Sequence, residues 1–168
     1  VTSCSQMFAY CYALSSITLP TSWGSFTGCS YMFYNCYALR ILNNLDYLGS
    51  TANQSDFVDI LRNCEALIGT ITIASLLTKV GIYGASGRLL KCTGIRLTNA
   101  SSTFTGSSPQ VNVSYTNLDA TAIEIVFNDL PPLSSKTINI TSTLGAGLVS
   151  KTSCGSSVGS TTITQTNT

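Results

Sequence analysis

The chain has 168 residues, room for one domain of ordinary size but not for two large ones. Hydrophobic residues make up 44%, enough for a core, while charged residues are only 9%, against ~25% in ordinary soluble domains, and the net charge is +1. This balance gives no electrostatic ground for nucleic acid or an anionic membrane as partner. The absence of His removes the commonest general base and metal ligand, and no apolar run approaches the ~20 residues that span a bilayer.

The first predicted elements come from an internal repeat. Ser5 to Leu14 (SQMFAYCYAL) and Ser30 to Leu39 (SYMFYNCYAL) share seven of ten positions at an offset of 25. Cys4 and Cys29 keep the same offset, as do Cys11 and Cys36. A degenerate third copy runs from Phe57 to Leu67, with Cys64 28 residues after Cys36. Each copy precedes a short strand, at Ile17-Thr18-Leu19, Leu42-Asn43-Asn44 and Ile71-Thr72-Ile73. Further strands are expected at Ile95-Arg96-Leu97, Val111-Asn112-Val113 and Ile138-Asn139-Ile140, the successive intervals being 25, 29, 24, 16 and 27 residues. All but the second alternate apolar–polar–apolar, as a half-buried strand does; Asn44 breaks the second.

Between the strands, Ser55-Asp56 can cap a helix through Phe57, Ile60, Leu61 and Cys64, and Ser75 to Val80 reads as helical. Thr98 to Gln110 reads as a loop. Asp119 caps a helix that buries Ile123, Phe127 and Leu130, and Pro131-Pro132 stops it. Residues 1–141 form the repeat domain on this reading. Residues 142–168 are a Ser/Thr/Gly-rich tail or the start of a following β segment, since Thr161 to Thr164 has strand propensity.

A period near 25 lies in the leucine-rich-repeat range. The expected fold is therefore an α/β solenoid of leucine-rich-repeat type, with one parallel sheet of about six short strands and mixed helix and loop backs. The segments MFAYCYALSSITLP and MFYNCYALRILNNL resemble the BspA-like leucine-rich repeats of bacterial surface proteins, which carry MF-x-x-C-x-x-L before a strand. Related stretches occur in phage and environmental structural proteins. The resemblance is close over Val1 to Leu45 and weaker to Leu97. It implies a surface protein used for adhesion or assembly and no catalytic residues, because the motif is a packing motif.

The middle residues of the six strands, Thr18, Asn43, Thr72, Arg96, Asn112 and Asn139, are expected to line one sheet face, the face on which repeat proteins commonly bind partners. Tyr12, Tyr37 and Trp23 are the candidate aromatic contacts, with Tyr12 and Tyr37 equivalent by repeat and expected to stack. Spacing between adjacent strands allows disulfides Cys4–Cys29 and Cys11–Cys36, the favoured reading of Cys11, Cys36 and Cys64 being buried thiols that fill small core sites. There is no C-x-x-C and no phosphate loop, and a serine nucleophile would lack a His partner, so neither a metal site nor a cofactor is expected. The carboxylates read as caps and solvated faces, Glu124 and Asp129 among the latter.

The expected function is a non-enzymatic structural and binding module, extracellular, on a cell surface or on a virion. It would assemble with copies of itself or other subunits into a fibre or appendage such as a phage tail fibre. The alternative is an adhesion or receptor-binding domain for a host protein or glycan, with a glycan-active enzyme a distant third. The chain starts at Val within a repeat and reads as part of something longer.

Overall fold

The computed structural model describes residues 3–23, 28–50, 56–74, 79–82, 90–98, 111–113, 116–130, 136–140 and 161–165. The repeated segments are runs of tight turns. Within the first, the amides of Met7, Ala9 and Cys11 donate three residues back, to the carbonyls of Cys4, Gln6 and Phe8. The intervening amides of Cys4, Gln6, Phe8 and Tyr10 donate instead to Gly28, Ser30, Met32 and Tyr34 of the next repeat. Tyr31, Phe33 and Asn35 in turn donate to Val58, Ile60 and Arg62. Every second amide therefore ties one repeat to the next. Such turns need left-handed backbone, and Gln6, Tyr10, Tyr31, Asn35, Asp59 and Asn63 all have φ between 50° and 65°. Left-handed backbone costs about 1–2 kcal/mol at a non-glycine residue. The ladder of hydrogen bonds holds it there.

Two strands follow from these turns. β1 (Ser16–Thr18) pairs parallel with β2 (Ile41–Asn43), Ile17 opposite Leu42 and Thr18 opposite Asn43. Asn44, with φ 63°, ends β2 and turns the chain into a 3₁₀ helix, Leu45–Ser50. β3 (Asp56–Phe57) begins the third repeat where a helix is expected from the sequence; turns, not a helix, carry Ile60, Leu61 and Cys64 into the core. β4 (Thr70–Ala74) follows, then β5 (Lys79–Gly81), which takes the last two residues of the segment Ser75 to Val80 that reads as helical; 75–78 lie outside the described residues. β6 (Gly94–Thr98), β7 (Val111–Asn112), α1 (Ala120–Asp129), β8 (Lys136–Ile140) and β9 (Thr161–Gln165) complete the order. The loop expected over Thr98 to Gln110 lies outside the described residues from 99 onward.

The single six-stranded parallel sheet of a leucine-rich-repeat solenoid is not formed, and that expectation is overturned. The described strands divide into three parallel sheets: β1-β2, β4-β6 and β3-β5-β7-β8-β9. Two local features account for the division. The left-handed Asn44 and the 3₁₀ helix intervene between β2 and β4, and that helix packs on β4. On the far edge of β6, the amide of Leu97 donates to Asp129 Oδ2 at 3.0 Å instead of to another strand. β7 pairs with β5 and β8, Val111 lying between Val80 and Ile138. β9 extends the same sheet, with Ile163 opposite Ile138.

α1 forms as its spacing requires. Asp119 Oδ1 accepts from the amide of Ala122 at 2.8 Å, capping the first turn. Ile123, Val126, Phe127 and Leu130 are buried on one face, which lies against β6. Leu130 is extended, as a residue before proline must be.

The core is continuous through the repeats. Met32, Phe33, Leu39, Phe57, Ile60, Leu61 and Leu67 are fully buried, and Phe8 stacks on Phe33 at 5.3 Å with an interplanar angle of 8°. Gly81, buried at the end of β5, faces the turn of the third repeat. A Cβ there would lie 2.6 Å from the backbone nitrogen of Asp59 and 3.4 Å from Val58 Cα. Both obstacles are main chain, so they cannot rotate away. Gly81→Ala is expected to lower unfolding free energy by about 1–3 kcal/mol, read as a lower urea midpoint at unchanged m-value.

Candidate functional site

The six strand-face residues do not form one ladder. Thr18 and Asn43 sit opposite each other in β1-β2, Thr72 and Arg96 in β4-β6, and Asn112 and Asn139 in β7-β8. Three of them nevertheless meet. Thr18, Asn43 and Thr72 line a cleft of about 370 Å³ with Leu42, Asn44, Leu45, Asp46 and Thr70. The cleft occupies the gap between β2 and β4 that Asn44 and the 3₁₀ helix open. Its volume lies within the ~300–1,000 Å³ of small-molecule sites.

The lining is held by its own hydrogen bonds. Asn43 Nδ2 donates to Thr18 Oγ1 at 3.2 Å, and Asn44 Nδ2 donates to the carbonyl of Leu19 at 3.0 Å. Thr70 and Thr93 hydroxyls bond at 3.3 Å. These bonds fix the two amide planes and leave Oδ1 of both asparagines, which can only accept, outside them. Asp46 lines the cleft, and its carboxylate makes no hydrogen bond or ion pair with a described residue. Among the described residues no cationic side chain lines the cleft. Asn44, Asp46 and Thr70 escape the sequence reading; the signal for Asn44 is its break in the apolar–polar–apolar pattern.

The other face residues are placed differently. Arg96 Nη2 pairs with Asp129 Oδ1 at 2.9 Å, so Asp129 anchors helix to sheet instead of lying on a solvated face. Asn112 accepts the amide of Ile82 through its carbonyl at 2.9 Å. Asn139 is in register with Asn112 and Thr164.

The aromatic candidates gather elsewhere. Tyr12 stacks on Tyr37 at 5.7 Å and 10°, and Tyr10 meets Tyr12 and Tyr34 edge-on. Tyr31 meets Tyr34 edge-on, and the Arg62 guanidinium lies 5.6 Å from the Tyr34 ring centre. Tyr10 and Tyr12 are 53% and 55% exposed, so this flank is a second accessible surface. Trp23 is half-buried against the core, with Nε1 donating to the carbonyl of Pro20 at 2.8 Å.

Cys4 and Cys29 are both buried and not disulfide-bonded, so the bridge their spacing allows is not made. Burial raises the Cys4 thiol, which stays neutral in the core. Cys36 Sγ donates to the carbonyl of Phe8 at 3.0 Å, and Cys64 Sγ to that of Phe33 at 3.2 Å, each reaching back one repeat. Burial pushes Cys36 up to about 11 and Cys92 up to about 12, and raises Cys64 as well. A raised thiol favours the fold below the ordinary value of 9.0, and that contribution is lost as pH rises towards 11. Cys11 is exposed. A maleimide at pH 8 should therefore modify Cys11 in the native protein, and Cys36, Cys64 and Cys92 only after denaturant is added. Peptide mass mapping checks this.

Among the described residues no cluster of three or more His, Cys, Asp or Glu side chains could hold a metal ion, and no helix is long and apolar enough to cross a membrane. No family model, curated protein or solved structure matches this chain.

Proposed function

We propose that the chain is a non-enzymatic recognition module of an extracellular or virion surface, holding a neutral, hydrogen-bonding partner in the cleft between β2 and β4. The convergence of Thr18, Asn43 and Thr72 with Asn44, Asp46 and Thr70 in that cleft carries the reading. A surface built from Ser, Thr and Asn with 9% charged residues suits such a partner. Glycoside hydrolysis generally needs two facing carboxylates, and the described lining of the cleft holds one. Asp59 pairs with Arg62, Asp119 caps α1 and Asp129 holds Arg96.

The test is an array of cell-surface proteins and glycans probed with the labelled chain and with the double variant Asn43→Ala/Thr72→Val. Specific spots lost in the double variant are expected. Spots unaffected by it would overturn the placement of the site.

A second reading, assembly with copies of itself or other subunits into a fibre, is favoured by one observation. The carbonyls of Ser5, Met7 and Ala9 accept no hydrogen bond from the described residues, whereas the equivalent Ser30, Met32 and Tyr34 carbonyls each do. Beside them Met7 is 43% exposed where its equivalent Met32 is fully buried. An unpaired row of this kind is a template for a further repeat, whether of the same polypeptide or of another chain. Sedimentation velocity across a concentration series separates the readings: a concentration-independent monomer removes self-assembly.

A further inference from the structure

Resting on the recognition reading above, we infer that the β2–β4 cleft takes a neutral saccharide, with Asp46 accepting hydrogen bonds from a pair of adjacent sugar hydroxyls. The inference comes from matching the lining to ligand chemistry. A sugar ring offers many hydroxyls, each donor and acceptor at once, on a body with apolar C–H patches. The cleft offers hydroxyls from Thr18, Thr70 and Thr72, amide oxygens from Asn43 and Asn44, and one carboxylate. Half-buried Leu42 supplies the apolar patch, with Leu45 buried behind it.

Charge selects among saccharides. With Asp46 present and no cationic side chain among the described lining residues, an acidic sugar would bring a second negative charge beside the first. A neutral sugar meets no such penalty, and two hydroxyls on adjacent carbons can span the two oxygens of a carboxylate, the stronger charge-assisted kind of hydrogen bond. A peptide is a poorer fit. Peptide grooves rely on aromatic anchors or apolar pockets, and no aromatic side chain is among the described lining residues: the stacked tyrosines lie around Tyr12 and Tyr37, and Tyr47, exposed on the 3₁₀ helix, is not in the lining. The lining is also pre-set: Asn43 is tied to Thr18 and Asn44 to Leu19 before any ligand arrives, which reduces the ordering cost of binding.

The test is titration of the whole chain with maltotriose, cellotriose, chitotriose and mannotriose, and with sialyllactose as the charged comparison, followed by calorimetry and saturation-transfer NMR. At least one neutral trisaccharide should bind saturably and sialyllactose should not. Asp46→Asn and Thr72→Val should each weaken the bound sugar about tenfold, as expected for losing a hydrogen bond to a charged or buried polar partner. Both side chains are partly exposed, so the fold should be kept, and circular dichroism verifies it. Absence of saturable binding by all four neutral trisaccharides overturns the proposal, as does binding that ignores both variants or prefers sialyllactose. If no sugar binds but a protein on the array is lost with Asn43→Ala/Thr72→Val, the saccharide assignment falls and the recognition reading stands. If neither sugars nor array partners respond to the variants, both fall.

Discussion

Phe33→Ala should cost about 3–5 kcal/mol of unfolding free energy, the range for truncating a fully buried aromatic side chain. Phe33 has no exposed surface, and its ring stacks on Phe8. Its main chain also ties the second repeat to the third. Its amide donates to Ile60, and its carbonyl accepts the Cys36 amide at 3.2 Å and the Cys64 thiol at 3.2 Å. The substitution leaves those backbone groups in place but removes the packing that positions them. Phe8→Ala, at the half-buried end of the same stack, should cost clearly less. Urea denaturation with unchanged m-value measures both. A loss below about 1 kcal/mol for Phe33→Ala would mean that the site collapses freely and that the repeats are not packed around this ring.

Asp129→Ala tests the feature that ends the β4-β6 sheet. The carboxylate is 11% exposed and accepts from both the Arg96 guanidinium and the Leu97 amide. Its removal leaves an edge amide without its acceptor and frees the end of α1 from β6, with an expected loss of about 1–3 kcal/mol. The ion pair contributes only part of this. Arg96 is half exposed, so solvent screens it, and Arg96→Ala should cost under about 1 kcal/mol. Asp129→Asn keeps an acceptor for Leu97 and should fall between the two. Hydrogen exchange gives the specific readout: protection of the Leu97 amide should drop in Asp129→Ala and persist in Arg96→Ala. Unchanged protection in Asp129→Ala would show that another group satisfies that edge.

Local periodicity was legible in the sequence and sheet membership was not. The offset of 25 places Ile17 opposite Leu42 and Thr18 opposite Asn43, as paired in β1-β2, and stacks Tyr12 on Tyr37. The Asp119 cap and the Ile123, Phe127 and Leu130 face define α1. These features depend on residues close in sequence or related by the repeat. The division into three sheets depends on long-range polar contacts that no spacing rule encodes. Asp129 reaches Leu97 across 32 residues, and Asn44 redirects the chain through a left-handed backbone that a strand pattern registers only as an irregularity. The expected helix after Asp56 fails for a related reason. Its apolar positions satisfy a helical period, but Asp59 and Asn63 adopt the left-handed turns of the two preceding repeats, and Asn63 Nδ2 donates to Asn35 Oδ1 at 2.5 Å to continue them. Of the candidate face, Thr18, Asn43 and Thr72 converge because the irregularity at Asn44 opens a cleft beside them. Arg96 is drawn away into the helix contact, and Asn112 belongs to the five-stranded sheet.

The most direct test of the cleft as recognition site is amide chemical-shift mapping of the isotopically labelled chain during titration with the neutral trisaccharides. The account predicts saturable shifts centred on Thr18, Asn43, Asn44, Asp46, Thr70 and Thr72, with Tyr12 and Tyr37 unmoved. Shifts centred on the tyrosine flank, or no saturable shift anywhere, would contradict it.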